Sequence, residues 1–410
     1  MASQTAVPAP RLLGYAEELA RAEADIASLA SRRRTHSPDL ERQGLERQDL
    51  EQRVRLAYRL FHRASLTGSM VHFEQAETAI GGALEDFGPK EDVCLLKANL
   101  DFRFHRLAAV REDLQMCPPL SGRFEGRVLL ADLDFQEGRY ESARLEFERL
   151  IAENRTWDNL ARLAHWQSKL GDAAEADRLY EEAEDDLTAK QMRSYAWLEL
   201  QRGVLAITHG RYDAAWKHYR RADASYPGHW HTDEHFAELL AAEGKFDEAA
   251  ALFREVIARC PKPELQQALG EIYVCCGRPE AAEPWFDSAL STYLESVEQG
   301  GTHYFHHLAD FYAHARENPA EAVRWARKDL EMRSNFSTQA ALAWALYRSG
   351  QLADATEYIR MALSSGVQDA GIFSSAATLL GAAGATAESE RYAQAALRIN
   401  PKHHNFHMHH

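Results

Sequence analysis

The chain has 410 residues, 45% hydrophobic and 27% charged, which is the balance of a folded protein. Its 47 basic and 62 acidic side chains give a formal charge of −15. That charge argues against nucleic acid, whose phosphates need a basic surface, and against an anionic membrane face. Nineteen histidines are unusual for this length; all protonated, they would carry the charge to +4, so acid should alter this surface more than most. Five scattered cysteines without a CxxC pair suggest reduced, mostly buried thiols. No run of 18 apolar residues occurs, so no membrane insertion is expected. The first 30 residues lack the basic start and apolar block of a leader, and a cytoplasmic protein is the simplest expectation.

In chain order, residues 11–30 read as an amphipathic helix. The stretch "SRRRTHSPD" breaks it, and Ser37-Pro38 is a good start for a second, very polar helix over 38–66. We assign 1–56 to an N-terminal helical cap or hairpin. From there one unit repeats. "EGRYESARLEFERL" at 137, "HGRYDAAWKHYRRA" at 209 and "EGKFDEAAALFREV" at 243 each carry glycine, then an aromatic two residues on, an alanine three later and an aromatic four beyond that. Anchored on the alanine, the ladder runs Ala76, Ala109, Ala143, Ala176, Ala215, Ala249, Ala282, Ala322, Ala355, Ser389. Its steps are 33–34 residues, with longer steps of 39 and 40 before Ala215 and Ala322. A fixed period of this length marks a stacked array in which no unit buries its apolar face alone.

These units resemble the tetratricopeptide repeat family. The seventh carries Gly270 and Tyr273 in its first helix, Gly277 in the turn, and Ala282, Phe286 and Ala289 in its second. Pro227, Pro261 and Pro401 close units where the family places proline. The resemblance covers about 57–402. It implies an all-α solenoid of about ten helix-turn-helix repeats in a right-handed superhelix, first helices lining the concave side. A short histidine-rich tail, 403–410, follows.

In the implied register, core positions are Phe236, Ala237 and Leu240 in the sixth unit. In the eighth they are Leu308, Ala309 and Tyr312, provided one extra residue sits in the turn "HARENPAEA". The remaining first-helix positions then face the groove: His165, His231, His235, Glu264, Gln267, Glu271, His303, His307 and Asp310. Trp230 and Trp344 serve as aromatic anchors. The family's groove columns grip peptides. Here several hold imidazole and carboxylate instead of the basic residues that clamp a carboxylate tail, which counts against an acidic peptide terminus as ligand.

The stretch "HYFHHLADFYAH", 303–314, sharpens the question. Histidines four apart on a helix can share a metal ion. His303, His306, His307, Asp310 and His314, with His231 and His235, are therefore candidate ligands for a divalent transition metal such as zinc, nickel or copper. The tail's His403, His404, His407, His409 and His410 are further donors. The competing account is a solvated, hydrogen-bonding groove wall. Phosphate-binding, zinc-protease and nucleophile-elbow motifs are absent. The expected function is a non-enzymatic scaffold for a protein or peptide, with metal response as the alternative.

Overall fold

The computed structural model describes residues 14–32 and 42–406. The break after the first helix and the last four residues, including His407, His409 and His410, lie outside them. Among the described residues there is no strand. Helix α1 (Tyr15–Arg32) precedes ten helix pairs. These are α2 (Arg42–Thr67) with α3 (Met70–Phe87), and α4 (Glu91–Arg103) with α5 (Leu107–Met116). The short α6 (Pro118–Gly122) leads to α7 (Phe124–Gln136) with α8 (Tyr140–Glu153). Then come α9 (Trp157–Leu170) with α10 (Ala173–Asp185), α11 (Met192–Thr208) with α12 (Tyr212–Ser225), and α13 (Trp230–Ala242) with α14 (Phe246–Arg259). Next is α15 (Pro263–Cys275) with α16 (Pro279–Glu298). The eighth first helix is split into α17 (Phe305–Asp310) and a π-helical turn, Phe311–Ala315, and pairs with α18 (Pro319–Met332). Last come α19 (Phe336–Arg348) with α20 (Leu352–Ser364) and α21 (Ala370–Ala382) with α22 (Thr386–Ile399).

The repeated letters have direct packing roles. The anchor alanines from Ala143 to Ala355 are fully buried, letting paired helices approach closely. The aromatics four residues later, Phe147, Tyr180, Tyr219, Phe253 and Phe286, are at most 2% exposed. Each contributes about 1.5–3 kcal/mol of burial. The two most degenerate units differ from the sequence register. Counting from the start of the second helix, Phe73 and Val110, not Ala76 and Ala109, take the anchor place. The extra residue of the eighth unit is absorbed by the π-helical turn, where the Arg316 amide reaches back to the Phe311 carbonyl at 3.0 Å. Phe311 (0% exposed), not Tyr312, is thereby the core residue. In the sixth unit Leu239, not Leu240, is sealed in the core.

Successive first helices meet one another (α2 and α4, α4 and α7, α11 and α13, α17 and α19, α19 and α21), whereas second helices do not approach to the same degree. First helices therefore form the inner wall of the curve. The coil is tight enough to touch itself. The turn inside one pair contacts the junction six pairs later, at separations of 193 to 199 residues. Cys260 Sγ donates to the Thr67 carbonyl at 3.3 Å, and Thr302 Oγ1 to the Phe104 carbonyl at 3.4 Å. Asn335 Nδ2 donates to the Gln136 carbonyl at 3.0 Å, and the Gln368 amide to the Lys169 carbonyl at 2.8 Å. Asn400 Nδ2 donates to the Ile207 carbonyl at 3.5 Å. Close approach here demands glycine: a Cβ on Gly138 would lie 2.4 Å from the Ser334 carbonyl oxygen. The α1 helix joins the same seam. The Tyr15 amide donates to the Pro227 carbonyl at 3.2 Å, and Tyr226 Oη to Glu18 Oε2 at 2.6 Å. The N-terminal helix is thus packed on the array.

Candidate functional site

Four first helices, α13, α15, α17 and α19, carry most of the residues singled out from the sequence, and the structure divides them. His231, Glu264, Glu271, His303, His307, Asp310 and Trp344 are partly exposed on the inner wall, as is His165 on α9. His235 and Gln267 are not groove residues, being 3% and 6% exposed. His235 is sandwiched between pairs, stacked on Tyr219 at 5.3 Å with the planes 21° apart. Thr232, Glu234 and Glu238 on the same helix are buried with it. Gln267 is the centre of a network. Its Oε1 accepts from Tyr293 Oη at 3.1 Å, and its Nε2 donates to Glu271 at 2.9 Å and Asp310 at 2.7 Å. Trp230 is no groove anchor either. It is 7% exposed, and its Nε1 donates across the seam to the Leu66 carbonyl at 3.0 Å.

Inner-wall electrostatics follow from narrowness: side chains with some water contact are still ringed by protein. Burial lowers the His165 pKa to about 3, and burial with the Arg193 charge lowers His229 to about 4. Burial, helped by His307 and Lys262 and opposed by Glu264, lowers His303 to about 4. His307 is lowered by burial against the pull of Glu264 and Asp310. His307 also stacks on Tyr293, 5.6 Å away and within 7° of parallel. Burial alone would raise Glu264, but Lys262, 2.6 Å away, and His307 outweigh it and hold the carboxyl near 2. His314 is the exception. Burial disfavours its charge, but Asp310 at 2.9 Å raises its pKa. It stacks on Trp344 at 6.2 Å.

Several inner-wall groups escaped the sequence reading. Arg162 Nε lies 3.0 Å from Asp132 across successive first helices, a pairing visible only once the helices are stacked. His105 did carry a signal. It occupies the turn position that is glycine in other pairs, such as Gly138, Gly210 and Gly244, and it adopts the same positive φ, +56°. Misplacing the second unit's anchor by one residue hid that equivalence.

Among the described residues no three side chains of His, Cys, Asp or Glu converge closely enough to hold an ion. His303, His306, His307, Asp310, His314, His231 and His235 thus gain no support from geometry as ligands. Cys94, Cys117 and Cys260 are buried thiols, whereas Cys276 is half-buried and Cys275 is exposed. No described helix is long and apolar enough to cross a membrane.

An array of helix pairs with an inner wall of first helices defines an α-solenoid repeat protein. A tetratricopeptide repeat family model matches residues 206–272. Helix pairs of the same form recur on both sides of that span. A model described as the TT21 fifth ARM repeats domain matches residues 125–225. Among solved structures the chain is similar to one titled "Crystal structure of APC/C hetero-tetramer Cut9-Hcn1". The likeness has a TM-score of 0.42 at 14% identity and covers 85% of this chain and 74% of that one. No curated protein matches the chain.

Proposed function

We propose that the protein is a non-enzymatic scaffold that holds a protein segment against the inner wall of its seventh to ninth helix pairs. The observation carrying this reading is the row of half-buried polar and aromatic side chains that this wall presents: Glu264, Glu271, His303, His307, Asp310 and Trp344. Their carboxylates, imidazoles and indole offer acceptors and donors to the backbone amides and carbonyls of a bound segment. Repeat arrays bind segments through many small contacts of this kind. The exposed His314 and its Trp344 neighbour supply a flat aromatic platform beside them.

Site-specific photocrosslinking tests this. A photoreactive residue at position 314 should trap a partner protein, and one at Leu145, exposed on the second helix α8, should not. Trp344→Ala should reduce the first crosslink about tenfold. Equal trapping from both positions, indifferent to Trp344→Ala, would refute an inner-wall site.

A further inference from the structure

The second pair meets the eighth at an unusual point of the seam. Elsewhere a glycine gives the turn room to approach the coil's next revolution. At this pair the turn carries His105 instead, in a left-handed conformation (φ +56°) and the sole non-glycine among the described residues to adopt it. A non-glycine residue there costs on the order of 1 kcal/mol. The imidazole points across the seam. Its ring centroid is 5.5 Å from that of His306 on α17, and the preceding Phe104 ring is 5.7 Å from His303. The Nδ1 atoms of His105 and His306 are both buried and without a hydrogen-bond partner.

We infer that the His105–His306 contact is a protonation-sensitive latch, closing the first superhelical revolution onto the second at neutral pH and releasing it in acid. The charged and titratable groups around the pair fit that role. Arg103 on α4, Arg333 beyond α18, and His303 and His307 all act on His105. His307, Arg333, His105 and His303 act on His306. The carboxylates nearby, Glu264 and Asp310, act on His303 and His307 instead. Glu264 is engaged by Lys262, and Arg333 is paired with Asp329. On the turn itself, Arg106 is paired with Asp101 and Glu77. Burial first, then the arginines and neighbouring imidazoles, holds both His105 and His306 well below the ordinary histidine range.

The sign follows. Closed, the pair is neutral; open, each imidazole meets water and regains a pKa near ~6.5. Above that pH the latch costs nothing in protons. As pH falls below it, the open form takes up protons that the closed form refuses, so opening becomes more favourable. Two histidines linked this way raise the open fraction about 100-fold between pH 7.5 and 5.5, and one raises it about 10-fold. The latch acts on the coil itself, with or without a bound segment.

Amide hydrogen exchange of the full chain, normalised to unstructured-chain rates, tests the latch over 102–108 and 301–307. Wild type is expected to show the 100-fold rise. His105→Gly restores the residue used by neighbouring pairs. His105→Asn keeps a side chain that tolerates positive φ but carries no charge. Both should cut the rise to about 10-fold. A flat wild-type response overturns the latch, as does an equal rise in all three proteins. A rise abolished by glycine but retained by asparagine also overturns it, since turn strain and not charge would then be responsible.

Discussion

Gly270 and Gly203 sit on first helices directly against the aromatic of the paired second helix. A Cβ on Gly270 would lie 2.4 Å from Phe286 Cε1, and one on Gly203 would lie 2.0 Å from Tyr219 Cε1. Both rings are buried. Gly270→Ala should therefore destabilise the protein by about 1–3 kcal/mol through overpacking. Gly82, inside α3, has nothing within 4 Å of its Cβ position. The same substitution there should stabilise by roughly 0.5–1 kcal/mol, because alanine loses less backbone entropy in a helix. Urea denaturation of the two variants checks both signs. The role of Gly270 was legible in the sequence, since it falls in the repeat column. His105 was harder to see, because its meaning depends on a contact 201 residues away.

At the level of helices and turns, Asn335 does two jobs with one side chain. Its Oδ1 accepts from the Thr338 amide at 3.0 Å, capping α19, while Nδ2 donates to the Gln136 carbonyl across the seam. Asn335→Asp keeps the cap acceptor and loses the donor. The half-buried Gln136 carbonyl then faces a carboxylate oxygen, and stability should fall by about 1–3 kcal/mol although aspartate is an equally good cap. Asn335→Ala should cost more, adding about 1 kcal/mol for the cap. Thermal unfolding of the three proteins separates the two contributions; an unchanged Asn335→Asp would mean that the seam bond contributes nothing. Helix positions, turns and the buried alanine-aromatic columns were readable from periodicity, because each is fixed within one unit and its neighbour. Inner-wall assignments were less secure. A single residue of register moves a side chain by 100° around a helix, which is how His235 and Gln267 came to be expected in the groove while Phe311 went unrecognised.

For the whole molecule, the closed seam changes how stability is distributed. An open solenoid is nearly one-dimensional, each unit sensing only its neighbours. Here a revolution of six pairs returns the chain to itself. Ending the protein after Ile399 leaves every helix intact but removes the Asn400–Ile207 and Asn405–Ala242 hydrogen bonds and the Lys402 ammonium 4.0 Å from the Tyr212 ring. Hydrogen exchange should then rise at 206–212 and 241–246, about 150–190 residues from the cut, with little change in α16 (279–298). Unaltered exchange at those turns would show that successive revolutions do not support one another.

The sequence by itself determined the repeat: its period, its helix pairs, its glycine-closed turns and its small-and-aromatic packing columns. All of these are local consequences of helical geometry and of burial between adjacent units. Tertiary structure alone decided which histidines meet. His105 and His306 lie on opposite sides of a seam whose register depends on the small rotation added at each of six successive stacking steps. No spacing within a single unit records that accumulated rotation.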